Sequence, residues 1–117
     1  EGGRMLKFID LKKENCSVEY ALAVVEIEIE SCAREGVVAI KVLHGYGSHG
    51  KGGAILVELR KALSLWKRQK KIKDFFGGDK WEVFNPQTFE ILQRDKTIYG
   101  DADLGNANPG ITIIELP

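Results

Sequence analysis

The stretch VVAIKVLHGYGSHGKGGAIL, residues 37–56, decides the architecture, because it runs from a strand pattern through a glycine-dense loop into a helix pattern. Val37 to Leu43 is β-branched and nearly all apolar, as expected of a central strand covered on at least one face. From Ala54 onward, Ile55, Leu59, Ala62, Leu63 and Trp66 mark one face of a helix that ends in a basic run near Lys70. Between the two, Gly45, Gly47 and Gly50 spell G-x-G-x-x-G, while Gly45 to Lys51 spell G-x-x-x-x-G-K.

Working outward, Leu6 to Leu11 alternates and reads as a short strand, followed by the polar turn KKENCS. Ser17 caps a helix starting at Val18, with Glu19 in its first turn. Val18, Ala21, Leu22, Val25, Ile29, Cys32 and Ala33 then recur at helical spacing, and Gly36 stands where a left-handed C′ glycine belongs. Ile72 to Phe76 reads as a third strand, so the first five elements are β-α-β-α-β, which predicts right-handed crossovers onto a largely parallel sheet. Residues 77–95 form an insertion, in which Trp81 to Phe84 looks extended and Asn85-Pro86 opens a short helix through Leu92. Tyr99 to Gly110 is loop chemistry, and Ile111 to Leu116 is a closing strand. The expected class is α/β, in one domain over residues 1–117, with residues 1–4 read as a tag remnant before Met5.

The 117 residues carry 44% hydrophobic and 29% charged side chains, ordinary values for a globular chain. No apolar run approaches the roughly 20 residues of a membrane span, and EGGRMLKF lacks a signal-peptide core, so a cytoplasmic protein without a membrane partner is expected. Cys16 and Cys32 flank or lie on one helix, roughly 24 Å apart at 1.5 Å per residue, too far to bridge. The formal net charge of zero hides a polarity. Glu14, Glu19, Glu26, Glu28, Glu30 and Glu35 make the first third acidic, and Arg60, Lys61, Lys67, Arg68, Lys70, Lys71 and Lys73 make a basic middle. That block is either a solvated helix end or part of a face for a polyanion.

Neither glycine motif finds its partners. A dinucleotide fold needs an acid at the end of the next strand and about six strands, whereas Asp74 lies inside IKDFF and the chain is too short. A Walker A loop needs Ser or Thr after its lysine for magnesium, and Gly52 stands there. What survives is a phosphate-binding loop: Gly50, Gly52 and Gly53 let the backbone approach, the helix start offers free N–H groups, and Lys51 adds charge, with His44 and His49 as titratable neighbours. Asp101-Ala102-Asp103-Leu104-Gly105 lacks the calcium-loop glycine and glutamate, and reads as a turn with solvated carboxylates. There is no zinc spacing and no G-x-S-x-G elbow.

The ordered set Ile9-Asp10-Leu11, His44-Gly45-Tyr46-Gly47 and NPGITIIEL resembles the small MutS-related (Smr) domain, whose members carry L-D-L-H-G, then H-G-x-G, then a glycine turn before a V-T-I-V-E-L-like strand. The resemblance covers residues 8–76 and 105–116. It implies a two-layer sandwich with a four-stranded mixed sheet in β-α-β-α-β-β order, and nucleic-acid binding, often with nicking or cleaving endonuclease activity on DNA or RNA. Carried over, Asp10 and His44 lie together at strand ends, His44 as general acid or base and Asp10 as its orienter or the activator of a water. Lys12, Gly45, Gly47, His49, Gly50, Lys51, Gly52, Gly53 and Arg60 would hold phosphates, with a divalent cation as a possible cofactor. The departure is Lys12-Lys13 where the family has His-Gly, which raises the alternative of a non-catalytic module binding nucleic acid or a protein.

Overall fold

The computed structural model describes residues 6–14, 16–46 and 52–117. The sequence lays down β1 (Leu6–Asp10), α1 (Leu11–Glu14), α2 (Val18–Glu35), β2 (Ala39–Leu43), α3 (Gly52–Arg68), β3 (Asp74–Gly77), α4 (Pro86–Arg94) and β4 (Ile111–Glu115). Single 3-10 turns at Gly78–Lys80 and Lys96–Gly100 flank α4. The fold is mixed α/β on a four-stranded sheet ordered β1-β2-β4-β3.

The caps of α2 are those its sequence calls for. Ser17 accepts a hydrogen bond from the Tyr20 N–H at 3.1 Å. At the other end Gly36 takes φ of 77°, and Val37 N–H reaches back to the Cys32 carbonyl at 3.0 Å. Its Ala21, Val25, Ile29 and Cys32 pack with Leu59, Leu63 and Trp66 of α3 over Ile9, Ile40, Val42 and Ile114 of the sheet. Each aliphatic side chain so buried stabilises the fold by about 1.5–3 kcal/mol before entropy is counted.

The sheet is less parallel than the β-α-β-α-β pattern predicts. β1 and β2 pair in parallel, but β4 inserts antiparallel between β2 and β3. The cause is the insertion, which carries the chain across the second face of the sheet and returns it antiparallel into a fully buried slot. Val38, Ala39, Phe76, Ile111 and Ile113 meet Trp81, Ile91, Leu92 and Ile98 there. Residues 78–104 are thus the cover of the second face.

Trp81 to Phe84 is not extended. Asn85 N–H bonds to the Glu82 carbonyl at 3.1 Å and Phe84 N–H to the Glu82 carboxylate at 2.7 Å, closing a turn that drives Trp81 inward and leaves Phe84 91% exposed. Gly78 makes this possible, since a Cβ there would stand 1.9 Å from the Asn108 carbonyl oxygen. The α3 start also differs from expectation, because Gly52 and Gly53 already belong to the helix.

Candidate functional site

The site lies where β1 and β2 end and β4 begins. The Gly110 carbonyl accepts from His44 N–H at 2.9 Å and from Gly45 N–H at 3.0 Å, which continues the β2–β4 ladder past Leu43. Strand alternation turns His44 toward the helices, in line with Ile40 and Val42, and it is only 2% exposed. Gly45 takes φ of 77°, a left-handed conformation that favours glycine, and a Cβ on Gly110 would stand 3.3 Å from the Gly45 Cα. Two glycines therefore let two backbones touch beside the histidine.

Both imidazole nitrogens are occupied. Nδ1 faces the Gly45 carbonyl, which can only accept, so Nδ1 carries the proton and Nε2 accepts from the Thr112 hydroxyl at 2.9 Å. Burial lowers the His44 pKa, opposed by the Gly45 carbonyl bond and reinforced by the Arg60 charge. His44 is a neutral imidazole near pH 7. The Arg60 guanidinium lies at the end of this row, beside Gly77 opposite Thr112: a Cβ on Gly77 would stand 3.6 Å from Arg60 Nη2 and 2.9 Å from the Asp79 carboxylate. Lys12 arrives from the other side, its Cδ 3.7 Å from where a Gly45 Cβ would be.

The structure brings His44, Gly45, Lys12 and Arg60 together, and leaves Asp10 apart from His44. Asp10 follows Leu6 and Phe8 on the opposite sheet face, and its carboxylate accepts from the Lys13 N–H at 2.8 Å, capping the single turn of α1. Gly47, His49, Gly50 and Lys51 lie outside the described residues, so the phosphate loop is represented by its two ends, Tyr46 and Gly52. Among the described residues no group of three or more His, Cys, Asp or Glu is placed to hold a metal. Among the described residues no helix is long and apolar enough to cross a membrane.

The basic middle of the chain is largely paired. Lys71 reaches Glu26 at 3.3 Å, Lys67 reaches Asp74 at 3.0 Å, Lys61 reaches Glu58 at 3.3 Å, and Lys73 meets Glu90. Among the described residues of the block only Lys71, just past the end of α3, meets the acidic first third, through Glu26 of α2.

Two polar clusters escaped the sequence reading. The carboxylates of Asp101 and Asp103 are not solvated but clamp the buried Lys41 ammonium at 2.7 and 2.8 Å. Burial opposes the Lys41 charge, yet the two carboxylates outweigh it and raise its pKa, while Asp103 is lowered by its bond to Lys41. A lysine inside the apolar run AIKVL was the available signal. Glu115 is buried at the far end of β4, bonded to Arg94 at 2.9 Å, and its pKa is pushed up to about 7 by desolvation and by Glu90.

The folded His44 pKa is depressed, so its contribution to stability is fully present above 6.5 and is lost as pH falls through the folded value. Against His44→Asn, wild type should lose its advantage progressively below pH 6.5 in urea titrations. Taking the difference between the two proteins removes Glu115, whose raised pKa gives the opposite slope. A difference independent of pH between 4 and 7 would show that His44 is not held neutral.

Fold and site together define an α/β domain with a buried, doubly bonded histidine flanked by two cations at the carboxyl ends of parallel strands. No family model, curated protein or solved structure matches the chain.

Proposed function

We propose that this domain binds nucleic acid through backbone phosphates at the rim formed by Lys12, the Gly45 turn, the start of α3 and Arg60. The observation that supports it best is that Lys12 lies against the Gly45 turn while Arg60, beside Gly77, bears electrostatically on His44. Neither has an ion-pair partner among the described residues, in contrast to Lys61, Lys67, Lys71 and Lys73. Strand carboxyl ends followed by a glycine turn and a helix start are where α/β folds collect anionic ligands. The resemblance to Smr domains points the same way. His44 holds the turn in shape through Gly45 and Thr112, and the cations supply the charge.

A second reading, phosphodiester cleavage, is favoured by the neutrality of His44, which lets Nε2 accept a proton at pH 7 once it leaves the Thr112 hydroxyl. Asp10 does not orient this histidine, so the reaction would rest on His44 alone.

Binding to a labelled duplex and to a structured RNA should weaken as salt rises, with a log–log slope of about −0.9 per phosphate contacted in DNA. Lys12→Ala and Arg60→Ala should each flatten the slope by about 1. Salt-independent binding, or none, would end the proposal. The same preparations incubated with supercoiled plasmid and RNA, wild type beside His44→Ala, separate the readings. Cleavage lost only in His44→Ala supports catalysis, and binding without cleavage by wild type leaves the non-catalytic module.

A further inference from the structure

On the sheet face opposite His44 lies a cavity of about 630 Å3, between β1, β2 and the returning chain of residues 97–108. Its apolar walls include Leu6, Phe8, Leu43 and Ile98, and its polar floor is Lys41 with Asp101 and Asp103. Phe8 stands 50% exposed at the mouth.

The floor is incompletely satisfied, in a particular pattern. An ammonium has three protons, and Lys41 gives one to each aspartate; the third has no oxygen or nitrogen acceptor among the described residues, and the ammonium stands 5.4 Å from the centre of one face of the Phe8 ring. The Lys41 side chain is only 9% exposed, and it lines the cavity. Asp101 is crowded: Lys41 takes Oδ1, and the Trp81 Nε1–H at 2.9 Å and the Asp103 N–H at 3.2 Å take Oδ2. Among the described residues Asp103 accepts only from Lys41 and from the Asn108 amide at 3.1 Å, which leaves lone pairs on both oxygens, and its side chain is 27% exposed and lines the cavity.

The floor therefore offers a donor and an acceptor side by side, with Lys41 Nζ and Asp103 Oδ2 2.8 Å apart. It carries one positive and two negative charges, which disfavours anions. A ligand that answers this pattern presents a carbonyl oxygen next to an N–H on a neutral flat body that fits beside a phenyl ring. We propose that this cavity binds a planar heterocycle with a lactam edge, and that guanine fits it best. Its carbonyl would meet Lys41, its ring N–H and amino group would meet Asp103, and its face would lie against Phe8. The ribose and any phosphate would remain outside the acidic floor.

This inference does not rest on the nucleic-acid reading, since neither Lys12, Gly45 nor Arg60 lines the cavity and either site can fail alone. The test is an NMR titration following the Leu43 and Ile98 methyls. Guanosine should bind with a Kd on the order of 0.1 mM. 1-Methylguanosine, adenosine and cytidine should bind at least tenfold more weakly, each leaving a buried partner unpaired. Phe8→Ala, at a half-exposed position, should weaken guanosine about tenfold. Asp103→Asn should abolish the preference over adenosine. A parallel titration with a guanine-containing single strand tells whether the base arrives free or within a chain, and binding of either sustains the proposal. No response of those methyls to guanosine or the strand at about 10 mM, or equal responses to all the nucleosides, would overturn it.

Discussion

Lys41→Met should unfold at more than 1 M lower urea than wild type, a loss of about 3–5 kcal/mol at the usual urea sensitivity of a small domain. The lysine sits in the middle of β2 with its ammonium between Asp101 and Asp103, and removing it strands two carboxylates that are 12% and 27% exposed. The cost arises from those uncompensated charges rather than from lost attraction, because a buried pair gains little over an apolar replacement. Adding Asp101→Asn and Asp103→Asn to Lys41→Met should therefore recover most of the stability. The Asp103 pKa is lowered in the fold from 3.8, so the attraction is fully present above that value and is lost as pH falls through the folded one. The gap between wild type and Lys41→Met should narrow accordingly in acid. A loss under about 1 kcal/mol at pH 7 would mean that water already screens the cluster.

This cluster shows where sequence reading stops. The layer of α2 and α3 over the sheet was legible residue by residue, because a helical period, a Ser17 cap and a Gly36 C′ each act locally. In the insertion only the helix opened by Asn85-Pro86 was legible; the path of the insertion was not, because what fixes it is long range: Lys41 finds acids 60 and 62 residues away, and Trp81 reaches Asp101 across 20. The same division runs through the candidate site. His44 and Gly45 could be singled out from a strand end followed by glycine, and Lys12 and Arg60 do lie beside them. The pairing of Asp10 with His44 could not be judged, since it depends on which sheet face each side chain takes. One residue of register decides that, and Asp10 pairs with Leu43, one residue short of His44. The basic block could not be resolved for a related reason, as Lys71 is answered by Glu26, 45 residues earlier, and Lys73 by Glu90, 17 residues later.

The insertion itself should depend on Trp81 more than on any other side chain. Trp81 is fully buried, its ring 6.2 Å from that of Phe76 and tilted by 33°, and its Nε1–H is donated to Asp101 at 2.9 Å. Its own carbonyl accepts from Gly105 N–H at 2.8 Å, tying the turn after β3 to the loop before β4. Trp81→Ala should cost about 3–5 kcal/mol, the range for deleting a large buried aromatic. Trp81→Phe keeps most of the volume and loses the N–H, so it should cost about 1–2 kcal/mol, with Asp101 short of one donor. Hydrogen exchange distinguishes where the loss falls. Amides of Ile91 and Ile98, which pack on Trp81, should open earlier in Trp81→Ala, while those of Val25 and Ile29 under α3 should follow only the global stability. Uniform acceleration across both faces would show instead that the second face folds in a single cooperative step with the first, and Trp81 would then be a support of the whole sheet rather than of its cover.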